Sequence, residues 1–139
     1  MRDVVRVWLA VACVGFLVAG CGQGNRDDPA LKELQKVKSG DLDVVLLSQA
    51  DALTHGRDAF VLEFRSGGSL RDVGAVKANA TMPMAGMPPM FGTLELQPSG
   101  TPGRYLVNSN FGMAGTWQIN VEWEGQTGKG STTLRGAVR

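Results

Sequence analysis

The stretch Thr116–Glu124, TWQINVEWE, alternates without interruption: Trp117, Ile119, Val121 and Trp123 fall on one side and Gln118, Asn120, Glu122 and Glu124 on the other. A period of two belongs to a β-strand with one buried face and one wet face. Working outward, weaker runs of the same kind occur at Leu42–Ser48, Ala59–Arg65, Val73–Ala80, Gly92–Gln97, Arg104–Asn108 and Ser131–Val138, with Gly, Pro, Asn or Asp between most of them. Seven short strands punctuated in this way over roughly 100 residues predict an all-β fold, an immunoglobulin-like antiparallel β-sandwich of about seven strands. No internal repeat is evident, and no helical pattern long enough for a crossover helix interrupts the strands.

The amino-terminal part reads differently. Arg2 and Arg6 precede an unbroken apolar run from Val7 to Ala19, too short to span a bilayer and shaped like a secretory signal. Its end, Leu17-Val18-Ala19-Gly20-Cys21, resembles the lipobox of bacterial lipoproteins. The resemblance implies cleavage before Cys21 and acylation of that cysteine with chains such as palmitate, two of which anchor stably where one would not. Gly22 rather than Asp after the cysteine implies, by the same resemblance, transfer to the outer membrane where there is one. The expected organisation is a signal peptide over 1–20, the lipidated cysteine and a tether over 21–40, and the sandwich over 41–139, facing the periplasm or the exterior. Within the tether, ALKELQKVKSG (Ala30–Gly40) spaces Leu31, Leu34 and Val37 at about one helical turn, which predicts at most a short helix acting as linker or edge cap.

Composition excludes several functions. Loss of Arg2, Arg6 and Asp3 with the signal balances the 14 basic and 13 acidic side chains of the chain, so no net field directs it to nucleic acid. Cys13 leaves with the signal and Cys21 carries lipid, so the two cysteines offer no disulfide. With one histidine and no nucleophile elbow, the usual acyl-transfer arrangements cannot be assembled, and no enzymatic activity is expected. Asp41/Asp43 and Glu122/Glu124 have strand spacing and read as wet faces. GKGST (Gly128–Thr132) lacks the first glycine of a phosphate loop and reads as a hairpin turn.

The distinctive segment is TMPMAGMPPM, Thr81–Met90, with four of the six methionines and three of the six prolines. If consecutive strands reverse direction, their connections alternate between the two ends of the sandwich. That rule gathers Met82, Met84, Met87, Met90 and Met113 at one end, together with His55, the only histidine. It also places the tether at the opposite end, so that the methionines should face away from the membrane. Thioethers are soft neutral donors that select Cu(I) and need no deprotonation. Pro83, Pro88 and Pro89 stiffen the segment and Gly86 lets it bend. Three readings stay open: a copper site, an apolar plug closing the sandwich, and a docking surface for a protein.

The strand leading into MPMAGM, followed by GRYLVNSNFGMAGTWQINVEWEG, resembles the YtkA-like domains, relatives of the FixH-like proteins, over about Leu42 to Val138. The resemblance implies a secreted or membrane-tethered sandwich connected with copper handling or with assembly of haem-copper oxidases. It further implies Met82, Met84 and Met87 as metal-carrying positions with Met113 as their partner, and a copper-donating or copper-accepting protein or oxidase assembly partner. A histidine is expected shortly after the Met-Pro stretch; Met90 and Phe91 stand there instead, which points to Cu(I) rather than Cu(II).

Overall fold

The computed structural model describes residues 30–139, so the signal segment, Cys21 and Gly22–Pro29 lie outside the described residues. Nine strands follow one another: β1 (Lys32–Ser39), β2 (Leu42–Ser48), β3 (Gly56–Ser66), β4 (Ser69–Leu70), β5 (Ala75–Met84), β6 (Met87–Pro98), β7 (Arg104–Phe111), β8 (Gly115–Gly125) and β9 (Gly128–Val138). The strands expected from the sequence are β2, β3 and β5 to β9, and their order in space is β1-β2-β3-β7-β6-β5-β8-β9, with the two-residue β4 hydrogen-bonded to β3. All of these pairings are antiparallel. The architecture is the expected antiparallel β-sandwich.

β6 belongs to both layers. Its first half, Met87 to Gly92, pairs with β5, and its second half, Thr93 to Pro98, pairs with β7. The change of partner falls at Gly92, where a methyl group would lie 3.1 Å from the Trp117 ring and 3.3 Å from both Ala80 and Phe111. A bare backbone is what allows the strand to cross directly over the core.

The core forms around the alternating faces. Trp117, Ile119, Val121 and Trp123 of β8 meet Leu42, Val44 and Leu46 of β2 and Phe60, Leu62 and Phe64 of β3, all buried. Two aromatic nodes divide its length. Phe64 stands edge-on to Tyr105 (centroids 5.7 Å apart) and to Trp123 (5.5 Å) at one end, and Phe111 lies tilted against Trp117 (5.1 Å) toward the other. Such pairs contribute beyond the area they bury. The Tyr105 hydroxyl donates to the Gly74 carbonyl at 2.7 Å, tying β7 to the residue before β5.

The outer face of the larger layer holds a buried charge. Glu63 is 1% exposed and receives Arg65 Nε at 2.7 Å and Arg104 Nε at 2.8 Å, one guanidinium on each of its oxygens. Arg104 also faces Glu63 directly across the β3–β7 ladder. With both oxygens engaged by half-exposed guanidinium groups, this carboxylate acts as a clamp between strands.

Three expectations are corrected. The segment expected as a short helix is strand β1, paired with β2 from Lys32↔Ser48 to Ser39↔Leu42. The ladder shifts register between Glu33 and Gln35, leaving Leu34 as the extra residue of a bulge; Leu34 and Val37, three apart, therefore both pack on the core, and a strand acquires a helix-like spacing. The methionine segment is a hairpin rather than a loop, turning at Ala85–Gly86, with Pro83, Pro88 and Pro89 in the irregular interval between the pairs Met82↔Met90 and Met84↔Met87. Finally, the extra strand inverts the direction of approach. Lys32 lies beside Ser48, so β1 begins at the methionine end and not opposite it.

Gly92→Ala should lower stability by about 1–3 kcal/mol through overpacking against Trp117 and Phe111, seen as a reduced urea midpoint with unchanged slope. A wild-type midpoint would show that β6 can shift away from the ring.

Candidate metal-binding end

The alternation rule does gather the expected residues, because the β2–β3 and β5–β6 connections join antiparallel neighbours and the β7–β8 connection, which crosses between the layers, still joins strands of opposite direction. The β5–β6 hairpin brings Met82, Met84, Met87 and Met90, the turn after β7 brings Met113, and the β2–β3 connection brings His55. Residues directly opposite in a ladder have Cβ atoms about 4.5–5.5 Å apart, so Met82 and Met90 are neighbours, as are Met84 and Met87.

The five thioethers divide by environment. Met82 is 8% exposed and part of the core, while Met84 and Met90 pack against that core from its margin. Met87 and Met113 are exposed, at 59% and 40%. The Met82 sulfur depends on a glycine of the neighbouring turn, and the Met90 sulfur lies in contact range of another. A Cβ on Gly115, whose φ is +145°, would come within 2.8 Å of Met82 Sδ, and one on Gly112 within 3.4 Å of Met90 Sδ. SNFGMAG thus carries its glycines for a packing reason, which the sequence could only suggest as turn chemistry.

Hydrogen bonds tie the β2–β3 connection to the turn after β7. His55 Nε2 donates to the Gly112 carbonyl at 3.1 Å, and Trp117 Nε1 donates to the Met113 carbonyl at 3.1 Å. Asp58 accepts from the backbone of Thr54 at 2.6 Å and of Ala59 at 2.8 Å, shaping the turn that presents His55. The same segment lies along the end of β9 through Leu53 N to Ala137 O (3.0 Å), Arg139 N to Leu53 O (2.9 Å) and His55 N to Arg139 O (2.8 Å). Lys32 reaches Asp51 at 2.6 Å and ties β1 to this group. Asp58, Lys32, Asp51 and the two glycines were not legible as site residues in the sequence.

The bond to Gly112 has a chemical consequence for His55. A carbonyl only accepts, so Nε2 carries the hydrogen, and in the neutral ring the lone pair is left on Nδ1. Metal-bound histidines are commonly oriented through their other nitrogen by such a carbonyl. Among the described residues no group of three or more His, Cys, Asp or Glu is placed to hold a metal ion. The donors gathered at this end are therefore thioethers and one imidazole, a set suited to a soft monovalent ion. A broad cleft at the other end, over Trp123 and lined by Lys77, Glu122, Glu124 and Lys129, offers mixed charge and no soft donor.

An antiparallel β-sandwich carrying methionines at one end defines the class of protein. Within that class the YtkA-like family matches residues 36–122, and the chain belongs to it. Solved structures of similar shape include PcoC, a methionine-rich copper resistance protein from Escherichia coli (16% identity, TM-score 0.47, covering 63% of this chain and 89% of that one). Others are the filamin domain of Lin-41 (13%, 0.42, covering 76% and 90%) and domains 4 and 5 of the S-layer protein SbsC (14%, 0.41, covering 78% and 52%). At these values the likenesses say nothing about what this chain binds. No curated protein matches the chain.

Gly115→Ala should destabilise the domain by about 1–3 kcal/mol, since a methyl group there meets Met82 Sδ on a backbone that side chains rarely adopt; thermal unfolding of the variant checks this. The Lys32–Asp51 contact gives a second test. The hydrogen bond from Lys32, and then its charge, hold the Asp51 carboxyl below its usual range. A lowered folded value means that the contact contributes above the ordinary carboxylate range and is lost as pH falls through the lowered value. In an NMR titration, Lys32→Ala should return Asp51 toward the ordinary range; an unmoved titration would show that the pair does not form.

Proposed function

We propose that this chain is a lipid-anchored domain of the cell envelope, held through Cys21 with the outer membrane favoured, that binds Cu(I) at its methionine end. It would pass the ion to, or withhold it from, another protein such as an oxidase assembly partner. The observation that carries the reading is the confinement of Met82, Met84, Met87, Met90, Met113 and His55 to one end of the sandwich. Their environments suggest a division of labour. Met87 and Met113 are exposed, and Met84, half-buried opposite Met87 at the hairpin tip, joins them with Nδ1 of His55 as the donors offered to an ion, whereas Met82 and Met90, with their sulfurs against Gly115 and Gly112, brace the hairpin.

Neutral thioethers can be replaced one at a time by a partner's donors, which suits transfer more than long-term storage. The depth of Met82 favours a second reading, in which this end is an apolar plug and protein-docking surface with no metal. Leucine keeps the size and apolarity of methionine and removes only the sulfur, so one set of replacements separates the readings.

Under anaerobic conditions the chain from Gly22 should take up one equivalent of Cu(I) in competition with a chromophoric chelator. Met84→Leu/Met87→Leu/Met113→Leu should weaken uptake at least tenfold, about 1.4 kcal/mol, while Met82→Leu/Met90→Leu should stay within a few-fold of wild type. Equal affinity in the triple variant would leave the docking surface as the function of this end.

A further inference from the structure

Three of the four large hydrophobic side chains left exposed among the described residues, Met87, Phe91 and Met113, are at the methionine end. Phe91 is 73% exposed, and the exposed Pro88 and Pro89 lie between it and Met87. The half of β6 that carries them pairs with β5 alone, so its other side is a free edge, and because amides of adjacent strand residues point to opposite sides, one of the two consecutive prolines removes a donor that a further strand would need there. The two segments that carry the patch hold no charge of their own, because the chain has no charged residue between Lys77 and Glu95 or between Arg104 and Glu122. An uncharged, aromatic-tipped edge that rejects strand addition fits a surface without directional hydrogen-bonding demands.

The strand that begins at this same end identifies that surface. β1 starts at Lys32, beside Ser48 and pinned to Asp51. From Cys21 to Lys32 the chain takes eleven residue steps, which at about 3.3–3.6 Å each reach no farther than roughly 40 Å. A lipid on Cys21 therefore keeps the methionine end within that distance of the bilayer. The opposite end is separated from it by a further strand length, about 35 Å for an eleven-residue strand. We propose that Met87, Pro88, Pro89 and Phe91 dock the domain on the phospholipid surface that holds its anchor, seated at the boundary between headgroups and acyl chains. The inference rests on the lipid anchoring proposed above; it shares Met87 with the proposed copper site, so docking and ion uptake would compete for that side chain. The patch is small, and the tether makes its contact intramolecular, with an effective concentration that a weak apolar contact can exploit.

The test uses full-length protein, acylated at Cys21, in vesicles of phosphatidylcholine and phosphatidylglycerol with and without bromine on the upper acyl chain. Phe91→Trp should gain emission that is shifted to the blue and quenched at least twofold by the brominated lipid, whereas Thr101→Trp, at the opposite end, should not be quenched. Phe91→Asp should leave the protein membrane-bound and folded, yet render Met87 more reactive toward a water-soluble oxidant. A bound Phe91→Trp protein with no more quenching than Thr101→Trp would overturn the docking while leaving the anchor intact. A blue shift seen in native membranes but not in the vesicles would overturn it in favour of a protein partner. A Cys21→Ser chain that remains on membranes, with no acyl mass on the wild-type cysteine, would remove the anchor and the docking with it.

Discussion

The crossing of β6 over Trp117 is the contact on which the rest of the molecule depends. A strand that pairs with β5 along one half and with β7 along the other joins the two layers through a continuous backbone. It can do so only where the chain lies directly on the ring, at Gly92. From that point β6 extends in one direction into the larger layer and in the other into the hairpin that carries the methionines. Trp117 reciprocates by donating its ring N–H to the Met113 carbonyl, so one side chain supports the strand crossing and positions the adjacent turn.

This arrangement makes the methionine end part of the core rather than an appendage to it. Met82 continues the row of buried side chains in β5, and its sulfur occupies the space left by Gly115. Thioethers suit this margin because an unbranched chain fills an irregular gap without demanding a hydrogen bond. The same property that makes methionine a good plug, a polarisable sulfur with no proton to lose, makes it a soft ligand. Packing and the proposed ligation would therefore draw on one residue type, with burial separating the two uses.

The sequence was legible wherever the pattern was local and regular. Trp117, Ile119, Val121 and Trp123 announce β8 because nothing interrupts their alternation, and the reversal of direction from each strand to the next is enough to gather His55 and five methionines at one end. Legibility failed where one added residue altered the phase. The bulge at Leu34 turned a period of two into an apparent period near three, hid β1 and, with it, the end at which the chain approaches the domain. Prolines had the same effect in Thr81–Met90: they argue against a central strand, but the hairpin places all three where no ladder pair forms. Long-range partners, such as Gly112 under Met90 or Lys32 against Asp51, leave no periodic trace at all.

A site built on a finished core also constrains how a metal could be used. In small metal-dependent domains the ligands meet only when the ion is present, and binding free energy is folding free energy. Here the bond from His55 to Gly112 already joins two of the connections, Trp117 fixes the turn of Met113 and Lys32 ties β1 to Asp51. The hairpin itself is braced by buried sulfur. An ion bound at such an end would not be needed to keep the fold closed, so its loss would not unfold the domain. That separation of ligation from stability is the condition under which a domain can take up a soft ion and release it repeatedly.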